Sequence, residues 1–212
     1  MPSNDRLSMF EKEIVLIESP LIRQLVERCL ETAPDYFFVV PASSSAKHHP
    51  AYTLGPEGLV RHTRAAVRIL SSLEEAGVLS WYYWVDEAAL DPMSHQDRHD
   101  VCVAALILHD LFKLGDPKQV HLASTAPRHS VHHHPLLAAR HIIDQGKGIH
   151  SLSPNIVTLI ADLVSSHMGK FCFSRYSSTI LPTPDSWLAH VVHVCDYLAS
   201  RKCIEVQLGV NE

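Results

Sequence analysis

Four histidines and two aspartates of this 212-residue chain are of the types that hold divalent metal ions, and they fall where core residues belong. His62 lies between Leu59 and Ala66 on the apolar stripe of a helical pattern. His109 follows Ala105 by four residues, and Asp110 is next to it. His134 precedes Pro135 at a helix mouth, His167 follows Leu163 by four, and Asp196 follows Val192 by four. Residues four apart share a helix face, so these polar groups point into the protein. A buried carboxylate is costly unless it is paired or bound to metal. Taken singly, each histidine reads as a hydrogen-bonded core residue and Asp196 as the partner of an arginine. Taken together, one dinuclear metal centre between facing helices accounts for all six. Nitrogen and carboxylate ligands suit Mn, Fe, Co, Ni or Zn, with Mg also open, and Asp110 could bridge the two ions.

The elements that must position these residues are helical. Leu7 to Ile17 reads as a first helix, and Ser19-Pro20 as a cap opening a second to about Glu31. Residues 34–57, rich in Pro and Ser, read as a long loop, with one weak strand signal at Tyr36 to Val40. A helix follows over about 58–75, stopped by Gly77, and Trp81 to Leu90 reads as another. Asp97 to Leu114 is apolar nearly all round, the pattern of a central buried helix. Pro135 starts a helix to about Asp144, Ser153-Pro154 opens one to about His167, and Thr183-Pro184 opens a last one to about Lys202. The expectation is an all-α bundle of six to eight helices in a single domain (1–212). It comprises a helical extension (1–33), a loop (34–57), a ligand-bearing core (58–202) and a tail (203–212).

The totals narrow the function. A formal net charge of -5, with 46% hydrophobic and 19% charged residues, gives no electrostatic case for coating duplex nucleic acid or a membrane surface. A small groove for an oligonucleotide stays open. No apolar run reaches membrane-helix length, and Met1 to Phe10 lacks a signal-peptide core, so a cytoplasmic protein is expected. The five cysteines form no CxxC pair and read as reduced thiols.

In order, the six ligands stand in Gly58-Leu59-Val60-Arg61-His62, Leu108-His109-Asp110-Leu111-Phe112-Lys113, His134-Pro135-Leu136-Leu137, Ser165-Ser166-His167-Met168-Gly169 and Val194-Cys195-Asp196-Tyr197-Leu198-Ala199. Over about residues 36–202 this pattern resembles the HD-domain superfamily of metal-dependent phosphohydrolases, in its dinuclear branch. The nearest resemblance is to the HD domain of bacterial 3′-to-5′ exoribonucleases and to relaxase-associated HD proteins. The segment Pro41-Ala42-Ser43 through Lys47-His48-His49-Pro50 is similar to theirs. The resemblance implies that His62, His109, Asp110 and Asp196 hold one ion. A second would be bridged by Asp110 and held by His134 and His167, with His133 as a competing choice for His134. It also implies substrate contact by Lys113. Two features depart from the pattern: residues 1–33 are not a nucleic-acid-binding module, and Phe112 precedes Lys113 where a glycine is common.

The expected activity is metal-dependent hydrolysis of a phosphoester in a nucleotide, cyclic nucleotide or short oligonucleotide. Asp110 and Lys113 are the expected catalytic residues, and Lys47, His49 and Lys113 the expected phosphate contacts. The same ligands also suit a diiron oxygenase acting on a diol or phosphonate, or a non-catalytic metal or nucleotide sensor. Trp81, Tyr82, Tyr83 and Trp84 could stack on bases but fit core packing better. His129, His132, His190 and His193 read as solvated.

Overall fold

The computed structural model describes residues 3–43, 47–79, 93–117 and 130–208. Among these there are eight α-helices and no strand. They are α1 (Ser3–Ser8), α2 (Glu11–Ile14), α3 (Pro20–Glu31), α4 (Gly58–Glu75), α5 (His95–Leu108), α6 (His134–Gly146), α7 (Pro154–Ser166) and α8 (Trp187–Ala199). The chain is thus an all-α bundle. The expected helix at Trp81 to Leu90, its aromatic residues and His129 lie outside the described residues.

Helix α5 is the central strut and packs on α3, α4, α7 and α8. Its residues Val101 to Leu108 are fully enclosed, as a segment apolar all round must be. Its start is fixed by a capping box: the Ser94 hydroxyl accepts from the Asp97 amide, and the Asp97 side chain accepts from the Ser94 amide. The Asp100 carboxylate, buried in the next turn, accepts from the backbone amides of Glu18 (3.1 Å) and Ser19 (2.7 Å). It thereby ties the entry of α3 to α5. Phe10, Ile14, Ile17 and Leu25 join the same core cluster as the ligand-bearing helices.

Several local expectations are corrected. The first helix is two short ones, α1 and α2, separated by turns around Met9 and Phe10. Tyr36 to Val40 is not a strand, because Asp35–Phe38 is a 3-10 turn. Consecutive Phe37 and Phe38 are both buried, and Phe37 stacks on Phe10 at 5.9 Å. An alternating strand cannot place neighbours on one side. Helix α5 ends at Leu108, and the chain tightens into i-to-i+3 turns that include Lys113 N to Asp110 O (3.0 Å). The last helix begins at Trp187, because Ser186 accepts from the Ala189 amide at 3.2 Å and is the working cap.

The loop before α4 is held by Arg61. Its guanidinium donates to the carbonyls of Tyr52 (2.5 Å), Leu54 (3.0 Å) and Pro56 (2.6 Å). Gly58 must be glycine, since a Cβ there would lie 2.0 Å from the Thr53 carbonyl oxygen. No helix among the described residues is long and apolar enough to cross a membrane.

Candidate metal centre

All six expected ligands converge. His62 projects from α4, His109 caps the end of α5, and Asp110 follows it. His134 is the first residue of α6, His167 caps the end of α7, and Asp196 lies on α8. The four histidines are at most 1% exposed, Asp110 is fully buried and the Asp196 side chain is 18% exposed. Three overlapping trios each place their ligand atoms within 4.8 Å of one another: His62, His109 and Asp110; His109, His167 and Asp196; and Asp110, His134 and His167. Asp110, His109 and His167 are each shared by two trios.

Three of the rings are aimed by their own backbone. His109 Nδ1 donates to the Leu106 carbonyl, His134 Nδ1 to that of Val131 and His167 Nδ1 to that of Val164, each at 2.7 Å. A carbonyl only accepts, so each Nδ1 carries the proton and, in the neutral ring, Nε2 presents a lone pair. Those lone pairs face carboxylate oxygens: His134 Nε2 is 3.0 Å and His167 Nε2 3.8 Å from Asp110 Oδ1. His109 Nε2 is 3.4 Å from Asp110 Oδ2 and 3.5 Å from Asp196 Oδ1. His109 Nε2, His134 Nε2 and Asp110 Oδ1 are buried with no hydrogen-bond partner. Acceptors facing acceptors in a dry interior are relieved by a cation between them, a proton or a metal ion. The residues present therefore fit a metal ion, and they satisfy the outer-shell rule that a ligating imidazole donates its second N–H elsewhere.

With no metal ion between the groups, a proton on His109 takes that place. Burial alone would lower His109, but Asp110 and Asp196 outweigh it and push it up to about 10. Burial also disfavours both carboxylates, yet Lys113 and His109 hold Asp110, and His109 and His62 hold Asp196, well below the usual range. His167 is pushed down to about 3 by burial and by the charge of His109. The pocket thus gathers cations around its two carboxylates. The C-terminal ends of α5 and α7 also point at it through their capping histidines, and their dipoles add to the negative potential.

Of the expected substrate contacts, Lys113 and His49 are at the cluster. Lys113 Nζ donates to Asp110 Oδ2 at 2.6 Å. The His49 ring is half-buried, 5.6 Å from that of His62. Burial, His62 and Lys113 push it down to about 3, leaving it neutral. Lys47 is exposed and makes no hydrogen bond or ion pair to the cluster among the described residues. His133 is half-buried at the N-cap of α6 and belongs to none of the trios.

Two histidines expected in solvent are structural. His193 is half-buried, and its Nδ1 donates to the His167 carbonyl at 2.7 Å. Its ring lies over Gly169 (φ +52°), where a Cβ would approach it to 2.3 Å. His193 precedes Asp196 by three, so the helical face shared with a ligand was the available signal. His132 Nε2 donates to the carbonyls of Cys172 (3.2 Å) and Thr179 (3.1 Å), pinning the segment after α7 beside the cluster. His190 is exposed, as expected. A surface groove lies elsewhere, on another face of α4, lined by Lys12, Arg61, Arg64, Arg68 and Val206.

Compared with protein-family models, with curated proteins and with solved structures, the chain matches none.

Proposed function

We propose that this protein is a metal-dependent phosphoric ester hydrolase of the phosphodiesterase type, with a dinuclear centre. The observation that carries the reading is the set of three Nδ1-anchored histidines whose Nε2 atoms face Asp110 and Asp196 in a buried pocket. The order of the ligands along the chain, which resembles that of the HD-domain phosphohydrolases, supports it. His62, His109, Asp110 and Asp196 would hold one ion, and Asp110, His134 and His167 the other. Bound there, two divalent ions would neutralise phosphate charge and acidify a water for in-line attack.

The chain's own groups do the rest. The Leu106, Val131 and Val164 carbonyls fix the tautomers, so no ring must turn during turnover. Lys113 brings an ammonium to Asp110 Oδ2 and is 15% exposed, so it can reach a phosphate oxygen at the rim of the pocket. His49, neutral above the His62 ring, can donate to or accept from a second oxygen. A nucleotide, cyclic nucleotide or short oligonucleotide is the substrate class.

The test is metal content by mass spectrometry on protein purified without chelators, followed by hydrolysis of bis-p-nitrophenyl phosphate with added Mn²⁺. Two ions per chain with hydrolysis is the expected result. Two irons without hydrolysis would replace this reading with a diiron oxygenase. Absence of metal under every loading condition would remove both.

A further inference from the structure

The segment that leaves the cluster has an unusual surface. From His167 to Pro184 the chain contains no acidic residue but has Lys170 and Arg175, in a protein of net charge -5. The same stretch exposes large rings: Phe171 is 45%, Phe173 68% and Tyr176 83% exposed. Cations and rings are interleaved. Lys170 Nζ lies 5.2 Å from the Phe171 ring and 5.0 Å from that of Tyr197, the residue after Asp196. The Arg175 guanidinium lies 4.7 Å from the Tyr176 ring, and that of Arg201 4.4 Å from Tyr197.

The segment is a held surface. His132 bonds two of its carbonyls, and the Leu181 amide donates to the Cys172 carbonyl at 2.9 Å. Both ends of that anchoring lead back to the candidate centre, through His134 on one side and through His167, Gly169 and His193 on the other. Phe171 is already stacked on Tyr197, but exposed rings offer stacking to flat bases of any sequence, and interleaved cations track a phosphate backbone.

We infer that the surface formed by Lys170, Phe171, Phe173, Arg175, Tyr176 and Arg201 is a platform for single-stranded nucleic acid. It would hold the strand beyond the phosphodiester that enters the metal centre. The inference rests on the phosphodiesterase reading for the role of the strand, but binding to the platform can be measured without turnover. It narrows the substrate class from nucleotides in general to short single-stranded oligonucleotides.

The experiment is fluorescence anisotropy of the full chain with labelled phosphorothioate oligonucleotides, RNA and DNA, which resist cleavage. It is run alongside hydrolysis of bis-p-nitrophenyl phosphate. A variant carrying Phe173→Ala and Tyr176→Ala should bind about 10-fold more weakly or worse, as loss of stacked bases predicts, and should hydrolyse the small phosphodiester at the parental rate. Arg175→Glu should weaken binding and flatten its dependence on salt. These exposed side chains lie outside the core, and unchanged circular dichroism would confirm the fold. Parental affinity in the double variant overturns the platform whether or not the small substrate is hydrolysed. Loss of binding in a protein that hydrolyses nothing keeps the platform and overturns the phosphodiesterase reading. If the parental chain binds vesicles of anionic phospholipid and no oligonucleotide, the surface is a lipid contact and the inference fails.

Discussion

Asp110 contacts more of the cluster than any other single side chain. One of its oxygens faces His134 and His167, and the other faces His109, His62 and Lys113. Replacing Asp110 with Ala should abolish both metal binding and turnover, read by metal content and by phosphodiester hydrolysis; retention of either would sink its assignment as the bridge. Gly169 tests the outer support. An added Cβ at Gly169→Ala must displace the His193 ring, which releases the His167 carbonyl. Loss of such outer-shell contacts costs about 10- to 100-fold in metal affinity, measurable by competition with a chelating dye. Unchanged affinity would mean that His167 needs no help from α8. At this scale the clustered residues were legible because helical spacing alone placed charged and polar groups among Leu59, Ala105, Leu163 and Val192. His193 carried only the helical face it shares with Asp196, and His132 carried no signal, because their partners are backbone carbonyls brought close by the tertiary fold.

At the scale of elements, caps written in single residues were readable, and the turns between helices were not. Ser19-Pro20 and Ser153-Pro154 open α3 and α7 where local chemistry places them. Thr183-Pro184 carries the same signature, but the Ser186 side chain caps α8. The end of α5 at Leu108 was hidden because Leu111 is apolar and buried like the helix before it. Asp100 shows how one side chain joins two elements. Asp100→Ala would strip the acceptor from the Glu18 and Ser19 amides, at about 1–3 kcal/mol for each donor left dry. The urea midpoint should fall accordingly, and an unchanged midpoint would mean that water replaces the carboxylate. His99 joins α5 to α4 through Glu74, its Nδ1 2.9 Å from Oε2. That hydrogen bond raises its pKa against the opposing effect of burial. A raised folded-state value stabilises the protein fully below the unfolded value of about 6.5 and is lost as pH rises through the folded one. The parental chain should therefore exceed His99→Gln in thermal stability at pH 5–6, with the gap narrowing as pH rises. A gap that widens with pH would contradict the pairing.

For the molecule as a whole, three of the cluster's rings are held by backbone carbonyls and the fourth, His62, by the Asp196 carboxylate at 2.9 Å. A ligand that binds only the folded chain adds stability by mass action, about 2.7 kcal/mol at a hundredfold excess over its Kd. At roughly 2–4 °C per kcal/mol for a chain of this size, saturating Mn²⁺ or Zn²⁺ should raise Tm by about 5–11 °C. EDTA should return it to the apo value. A Tm indifferent to both would argue that the cluster is a polar core with no metal role.

The ligands are also spread along the chain, from His62 on α4 to Asp196 on α8, with one or two at nearly every junction between. No local stretch can assemble the set, because His109 and Asp110 are the only neighbours in sequence. On the dinuclear reading, loading would follow the docking of α8 on α4 and α5. Once loaded, two ions sharing Asp110 would together clasp five separate segments, and their escape would require helices to part. Exchange of bound metal should then follow the slow openings of the bundle, on the timescale of amide hydrogen exchange in α5, and not the fast exchange of an exposed site.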